Sequence, residues 1–194
     1  LQLTLQKGFE TFYDVETDLP GIYQTKNVVT LFQSIDLLKE RGFDITIEQI
    51  RTSLVQTQTL TGLQGRWQVV QQSPTVVLEV AHNKDGVTQM LEHLKLLTYR
   101  QLHIIIGMVK DKDVETVLAL LPPAAQYYYT QAHIPRAMPA EELEQKGAQH
   151  ELKGNVYSDV NIALQQALQI AEPDDLIIVC GSIFLVAEVN IPVQ

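Results

Sequence analysis

Two short runs constrain this chain more than anything else in it: Leu102-His103-Ile104-Ile105-Ile106 and Leu176-Ile177-Ile178-Val179-Cys180. Both are apolar almost throughout and too short for helices. A strand with one wet face alternates apolar and polar residues. A strand without that alternation is covered on both faces, as in a parallel sheet with helices on each side. Helical spacing recurs between such runs: Val87, Met90, Leu91, Leu94 and Leu97 line one stripe of a helix expected over 85–99. Further strands are expected over 66–72, 75–81, 126–130 and 156–157, with helices over 111–121, 139–147, 158–171 and 183–189. Ser158 is the expected cap of the helix it opens. The fold class is therefore α/β, with a mostly parallel sheet and helices on both faces.

The first third reads differently. Leu3 to Tyr13 alternates loosely as strand with a break at Gly8, and Asp18-Leu19-Pro20-Gly21 is a turn. A helix is expected over 27–41, stopped by Gly42, and a second over 46–54, capped by Thr46. Residues 56–65 are rich in Thr and Gln and read as a linker. The chain opens without a Met or a basic segment, so a piece of something longer is expected.

Composition excludes several classes. Hydrophobic residues make up 45% and charged residues 19%, the balance of a globular chain and not of a disordered one. A net charge of -9 argues against binding a nucleic-acid backbone. No run is long enough to span a bilayer. The single cysteine, Cys180, lies in an apolar run and reads as a buried reduced thiol, so a cytoplasmic setting is expected. No Gly-rich loop ending in Gly-Lys-Ser/Thr occurs, nor any Cys/His cluster with zinc spacing.

In an open parallel sheet, ligands bind outside the carboxyl ends of the strands. Three loops fall there, after Val80, Gly107 and Cys180. In the first, Glu79, His82 and Asn83 meet where a strand ends and a helix begins. A helix amino terminus favours anions, so His82 can meet a phosphate or carboxylate, and Glu79 can accept from a ribose or orient a neighbour. The plainer reading, favoured on spacing alone, is that Asn83 or Asp85 caps the helix. Arg66 offers bidentate phosphate recognition, or is simply a surface residue beside a buried Trp67. Gly107 to Asp113 either lines a cleft or caps a helix, and Ser182 either binds a ligand or caps the last helix.

In series, Gly21 to Asn27, Gly65-Arg66-Trp67-Gln68, Leu78-Glu79-Val80-Ala81-His82-Asn83, Gly107 to Asp113, Pro135-Arg136-Ala137 and Gly181-Ser182-Ile183-Phe184 resemble the folylpolyglutamate synthase/dihydrofolate synthase family of Mur-type ligases, over nearly the whole chain. The resemblance implies that residues 1–60 end a central ATP-binding domain. It implies that 61–194 form a Rossmann-like carboxy-terminal domain that closes over ATP. By the same resemblance Asn27, Arg66, Glu79 and His82 serve the nucleotide, Arg66 and His82 assist catalysis, and Ser182 and Asn83 serve the substrate. The implied partners are ATP, L-glutamate, dihydropteroate or a folate, and the amino-terminal domain of the same chain. Mg²⁺ is implied as well, with ligands mainly outside this sequence. The implied reaction phosphorylates a carboxylate, and the glutamate amine then attacks the acyl phosphate. A monomer, inactive as this piece alone, is expected. Glu79 departs from the family's usual Asp, and Lys84 from its usual Pro. Two other readings stay open: another Mur-type ligase, and a non-catalytic nucleotide- or partner-binding module.

Overall fold

The computed structural model describes residues 1–7 and 11–190. The expected break at Gly8 lies outside the described residues. The chain forms two compact units, Leu1–Arg66 and the remainder from Trp67.

The first unit begins with β1 (Gln2–Lys7) and β2 (Thr11–Glu16), paired antiparallel with Gln2 opposite Glu16. The single interrupted strand expected across Leu3–Tyr13 is thus two strands of a hairpin. Three helices follow: α1 (Gln24–Glu40), α2 (Ile47–Leu54) and α3 (Thr57–Thr61). α2 opens with a capping box. Gln49 N–H donates to Thr46 Oγ1 at 3.2 Å, and Thr46 N–H to Gln49 Oε1 at 2.8 Å. α3 corrects the linker expected over 56–65. It is tied to a distant turn: Gln58 N–H donates to Asp18 Oδ2 and Gln58 Nε2 to Asp18 O, each at 2.8 Å. Gly62, at φ +66, ends the turn. The core of this unit is Val15, Val28, Ile35, Ile50 and Leu54.

The second unit holds β3 (Gln68–Gln72), β4 (Thr75–Leu78), α4 (Lys84–Leu94), β5 (Leu102–Ile106), α5 (Val114–Leu118), β6 (Gln126–Tyr129), α6 (Ala140–Ala148), β7 (Gly154–Val156), α7 (Val160–Ile170), β8 (Leu176–Cys180) and α8 (Ile183–Ala187). The sheet order is β3-β4-β8-β5-β6-β7. β3 runs antiparallel to β4, and every other pair is parallel. Every residue of β5 and β8 is buried, as their unbroken apolar character requires. Alternate strand residues feed two cores. Val77, Ile104, Ile106 and Ile178 meet α4, α5 and α6, while Val76, Ile105, Ile177 and Val179 meet α7 and α8. Each such side chain contributes about 1.5–3 kcal/mol by leaving water.

Many element bounds differ from expectation by a few residues, the helix expected over 85–99 ending at Leu94 among them, and three differences have a clear local cause. β3 starts at Gln68, not Arg66, because Trp67 sits at φ +54, outside the extended region. Asp159, not Ser158, caps α7, its Oδ1 accepting from Asn161 N–H at 2.8 Å and Ile162 N–H at 3.0 Å. A carboxylate at this place also complements the helix dipole. The helix expected over 111–121 shrinks to Val114–Leu118. There Asp113 takes the cap by accepting from Thr116 N–H at 3.2 Å.

A polar network ties the amino ends of β5 and β8. Asp175 accepts from Arg100 Nε and Nη2 at 2.9 and 2.8 Å, from Gln101 N–H at 3.1 Å and from Glu172 N–H at 2.8 Å. His103 Nε2 lies 3.3 Å from the same carboxylate, and its Nδ1 lies 3.0 Å from the Tyr128 hydroxyl. Burial alone would push the Asp175 carboxyl up. The bonds from Glu172 N–H, Arg100 and His103 outweigh it and hold the carboxyl below its ordinary value.

Candidate active site

The opposite end of the sheet is where a parallel sheet of this kind takes its ligands. β4 and β5 each lead into a helix on one face, while β8, lying between them, leads into a helix on the other. Where neighbouring strands send their connections to opposite faces, a crevice opens at their carboxyl ends. Glycines let the strand ends close up beneath it. Gly181 has φ +102, and a Cβ there would sit 2.6 Å from Gly107 O. A Cβ at Gly107 would sit 2.7 Å from Thr130 O. Gly181 N–H donates to Ala81 O at 2.9 Å, and Gly107 N–H to Cys180 O at 3.3 Å.

Glu79, His82, Asn83 and Ser182 come together on the ends of the adjacent strands β4 and β8. Glu79 is buried, and its Oε2 accepts from Trp67 N–H at 2.9 Å. His82 is half-buried, with Nδ1 3.2 Å from Val80 O. Asn83 is exposed and caps α4, accepting from Gly86 N–H at 2.8 Å. Ser182 is buried, and its Oγ accepts from Phe184 N–H at 3.2 Å, leaving the hydroxyl hydrogen to be donated. Capping and ligand binding are not exclusive for either residue.

Asn27 and Arg66 belong to the first unit. Asn27 is exposed on α1, its amide donating to Gln24 Oε1 at 2.8 Å. Arg66 is half-buried and makes no ion pair with the described residues. It is peptide-bonded to Trp67, whose ring stacks on His93 at 3.9 Å and 9°.

One part of the rim escaped the sequence. The Arg136 guanidinium lies over the Phe184 ring at 4.6 Å, and its Nη1 is 3.5 Å from Asp111 Oδ2. Arg136 O accepts from Lys110 N–H at 3.0 Å, and Met138 N–H donates to Met108 O at 2.9 Å. The loops after β5 and β6 and the start of α8 are therefore clipped together. The Arg136 and Phe184 motifs were both visible in the sequence, but nothing local pairs two residues forty-eight positions apart. Exposed Lys84, Lys110 and Lys112 stand at the same rim. Their acidic neighbours are partly committed, Asp111 to Arg136 and Asp113 to its cap, so an otherwise acidic chain offers cations here. Cys180, at the end of β8, is a free buried thiol pushed up to about 12 by burial and then by the nearby Glu79 carboxylate, so it stays neutral and is no nucleophile. Among the described residues no three His, Cys, Asp or Glu side chains gather as a metal centre.

Residues 65–183, which span the sheet and every loop of this crevice, match the family model described as Mur ligase, glutamate ligase domain. The chain belongs to the Mur ligases. A probable bifunctional folylpolyglutamate synthase/dihydropteroate synthase of Haloferax volcanii is 32% identical over 191 residues, 96% of this chain and 21% of that protein. The dihydrofolate synthase/folylpolyglutamate synthase of Escherichia coli K12 is 30% identical over 154 residues, 78% of this chain and 35% of that protein. The crystal structure of the bifunctional folylpolyglutamate synthase/dihydrofolate synthase of Yersinia pestis, complexed with AMPPNP and a manganese ion, superposes with a TM-score of 0.73 at 29% identity. That match covers 94% of this chain and 41% of the other. This Mur ligase chain thus spans from about a fifth to two fifths of the length of these relatives.

Proposed function

We propose that this chain is the glutamate-ligase module of an ATP-dependent enzyme. That enzyme adds L-glutamate to dihydropteroate or to the glutamyl tail of a folate, through an acyl phosphate. The observation that carries the reading is the strand arrangement: β4, β8 and β5 lie side by side and send their connections to opposite faces, with His82, Asn83 and Ser182 in the loops that follow and lysines beside them. The likeness to the Yersinia enzyme, which holds AMPPNP and a divalent ion, supports it. Residues 1–60 are the tail of the ATP-binding domain, and 61–194 the ligase domain. The P-loop, the main ligands of a Mg²⁺ ion and the pterin site come from the rest of the protein, which acts in the cytoplasm as a monomer.

Each residue then has a task. Arg66 clamps phosphate through its planar fork, and Asn27 and Glu79 serve the same nucleotide. His82 stabilises charge as phosphate leaves the tetrahedral intermediate. Ser182 donates its hydroxyl to glutamate, and Asn83 orients the substrate. Closing the module over the nucleotide excludes water that would hydrolyse the acyl phosphate. This chain alone lacks ligase activity.

The test is a ligase assay on the full-length enzyme with dihydropteroate and with tetrahydrofolate as acceptors, each with L-glutamate and ATP. Arg66→Ala and His82→Ala are each expected to lower kcat by about a hundredfold or more, as removal of one transition-state donor does. Full activity in both variants, or turnover by the 194-residue chain alone, rejects the proposal.

A further inference from the structure

Trp67 is held in a conformation its side chain disfavours. Its φ is +54, and Gly65, two residues earlier, stands at φ +70. Glycine enters that region freely, but a bulky aromatic residue does so only when its surroundings over-determine it. Two contacts fix Trp67 here. Its ring, 3% exposed, stacks on His93, and its N–H donates to Glu79 Oε2 at 2.9 Å. Glu79 is itself only 3% exposed, and that oxygen holds the N–H of the Arg66–Trp67 peptide. An aspartate at position 79 would be one methylene, about 1.5 Å, shorter and would fall short of this N–H.

We propose that Glu79 is a positioning residue, which serves the nucleotide by holding the Arg66–Trp67 peptide and thereby aiming Arg66, not by touching the ribose. The proposal rests on the reading of Arg66 as a phosphate clamp. It assigns the longer carboxylate at this position a structural purpose: the acid reaches back to the turn that carries the arginine.

Trp67 is the sole tryptophan of the chain and reports on its own turn. In the 194-residue protein, Glu79→Ala and Glu79→Asp are expected to shift Trp67 emission to the red and raise acrylamide quenching, with far-UV circular dichroism unchanged. Glu79→Gln, which keeps an acceptor at the same reach, is expected to leave emission as in the parent. In the full-length ligase, Glu79→Ala is expected to weaken ADP and 2′,3′-dideoxy-ADP alike, by about tenfold, about 1.4 kcal/mol. Glu79→Gln should restore binding, and Glu79→Ala should add little once Arg66→Ala is present. A loss seen with ADP and absent with the dideoxy analogue means direct ribose contact and overturns the proposal. So does unchanged Trp67 emission in Glu79→Ala, or full ADP affinity in Glu79→Asp. Unchanged ADP affinity in Arg66→Ala removes the clamp itself, which the Glu79 variants alone cannot do, and the route from Glu79 to the nucleotide falls with it.

Discussion

The two units bury their apolar residues to different degrees. From Trp67 onward the sheet is sandwiched, and side chains such as Ile104, Ile105, Ile177 and Ile178 are wholly out of water. Before it, a two-stranded hairpin and the helices α1 and α2 share a small core, while Leu37, Phe43 and Leu60 stand 59–61% exposed. A two-stranded sheet is barely stable without something packed on it, and α1 carries apolar residues on more than one side: Val28 and Ile35 inward, Val29 and Leu37 outward. Apolar residues outside the packed stripe of a helix suit a further surface laid over them. The second unit thus has the economy of a self-contained domain and the first that of a part. This accords with the proposal that residues 1–60 finish a larger domain.

The sharpest test of that difference is Ile178→Ala. Emptying a fully buried site in the central strand is expected to cost about 2–5 kcal/mol, read as a lower denaturation midpoint for the second unit. A loss below about 1 kcal/mol would mean that this core is no better packed than the first. Acid is the next probe. Because Asp175 titrates below its unfolded value of about 3.9, its contribution is present above that pH and fades as pH falls through the folded value. Stability measured from pH 6 to pH 2 should therefore drop more steeply in the parent than in Asp175→Asn, and parallel curves would remove the network from the account. Gly181→Ala should cost about 1–3 kcal/mol, since it forces an alanine to φ +102 against Gly107 O. It should weaken ligand binding at the rim as well, and a silent substitution would show that the strand ends need not close. The smallest effect belongs to the first unit. Leu37→Glu should change the stability of this chain by no more than about 0.5 kcal/mol, whereas in the full-length enzyme it should unfold or inactivate. Equal tolerance in both would show that nothing covers α1.

How much of this was legible depends on the range of the forces involved. The unbroken apolar runs 102–106 and 176–180 reveal β5 and β8 because burial on both faces acts on every residue of a strand. Thr46 reveals the start of α2 because a cap is local, and the structure adds Gln49 to it as a capping box. The strand order was not legible, since nothing near Leu176 says that it pairs with both Leu102 and Thr75. α3 was missed because its support is Asp18, forty residues away. At the site, the apolar runs placed Glu79, His82, Asn83 and Ser182 at strand ends, where the structure has them, and the resemblance added only their roles. It gave no hint that Glu79 turns towards Trp67 or that Arg136 lies on Phe184, because both are contacts between distant segments.

The place of β8 has a consequence for biosynthesis. Within this sheet, the strand between β4 and β5 is the last of the described strands in chain order, and so the last of them to leave the ribosome. Until residues 176–180 emerge, β4 and β5 have no partner between them and their apolar edges stay open. The second unit therefore cannot close strand by strand during translation. A nonsense codon a few residues before Leu176 would remove the keystone of the sheet, not its margin, and should yield an insoluble chain.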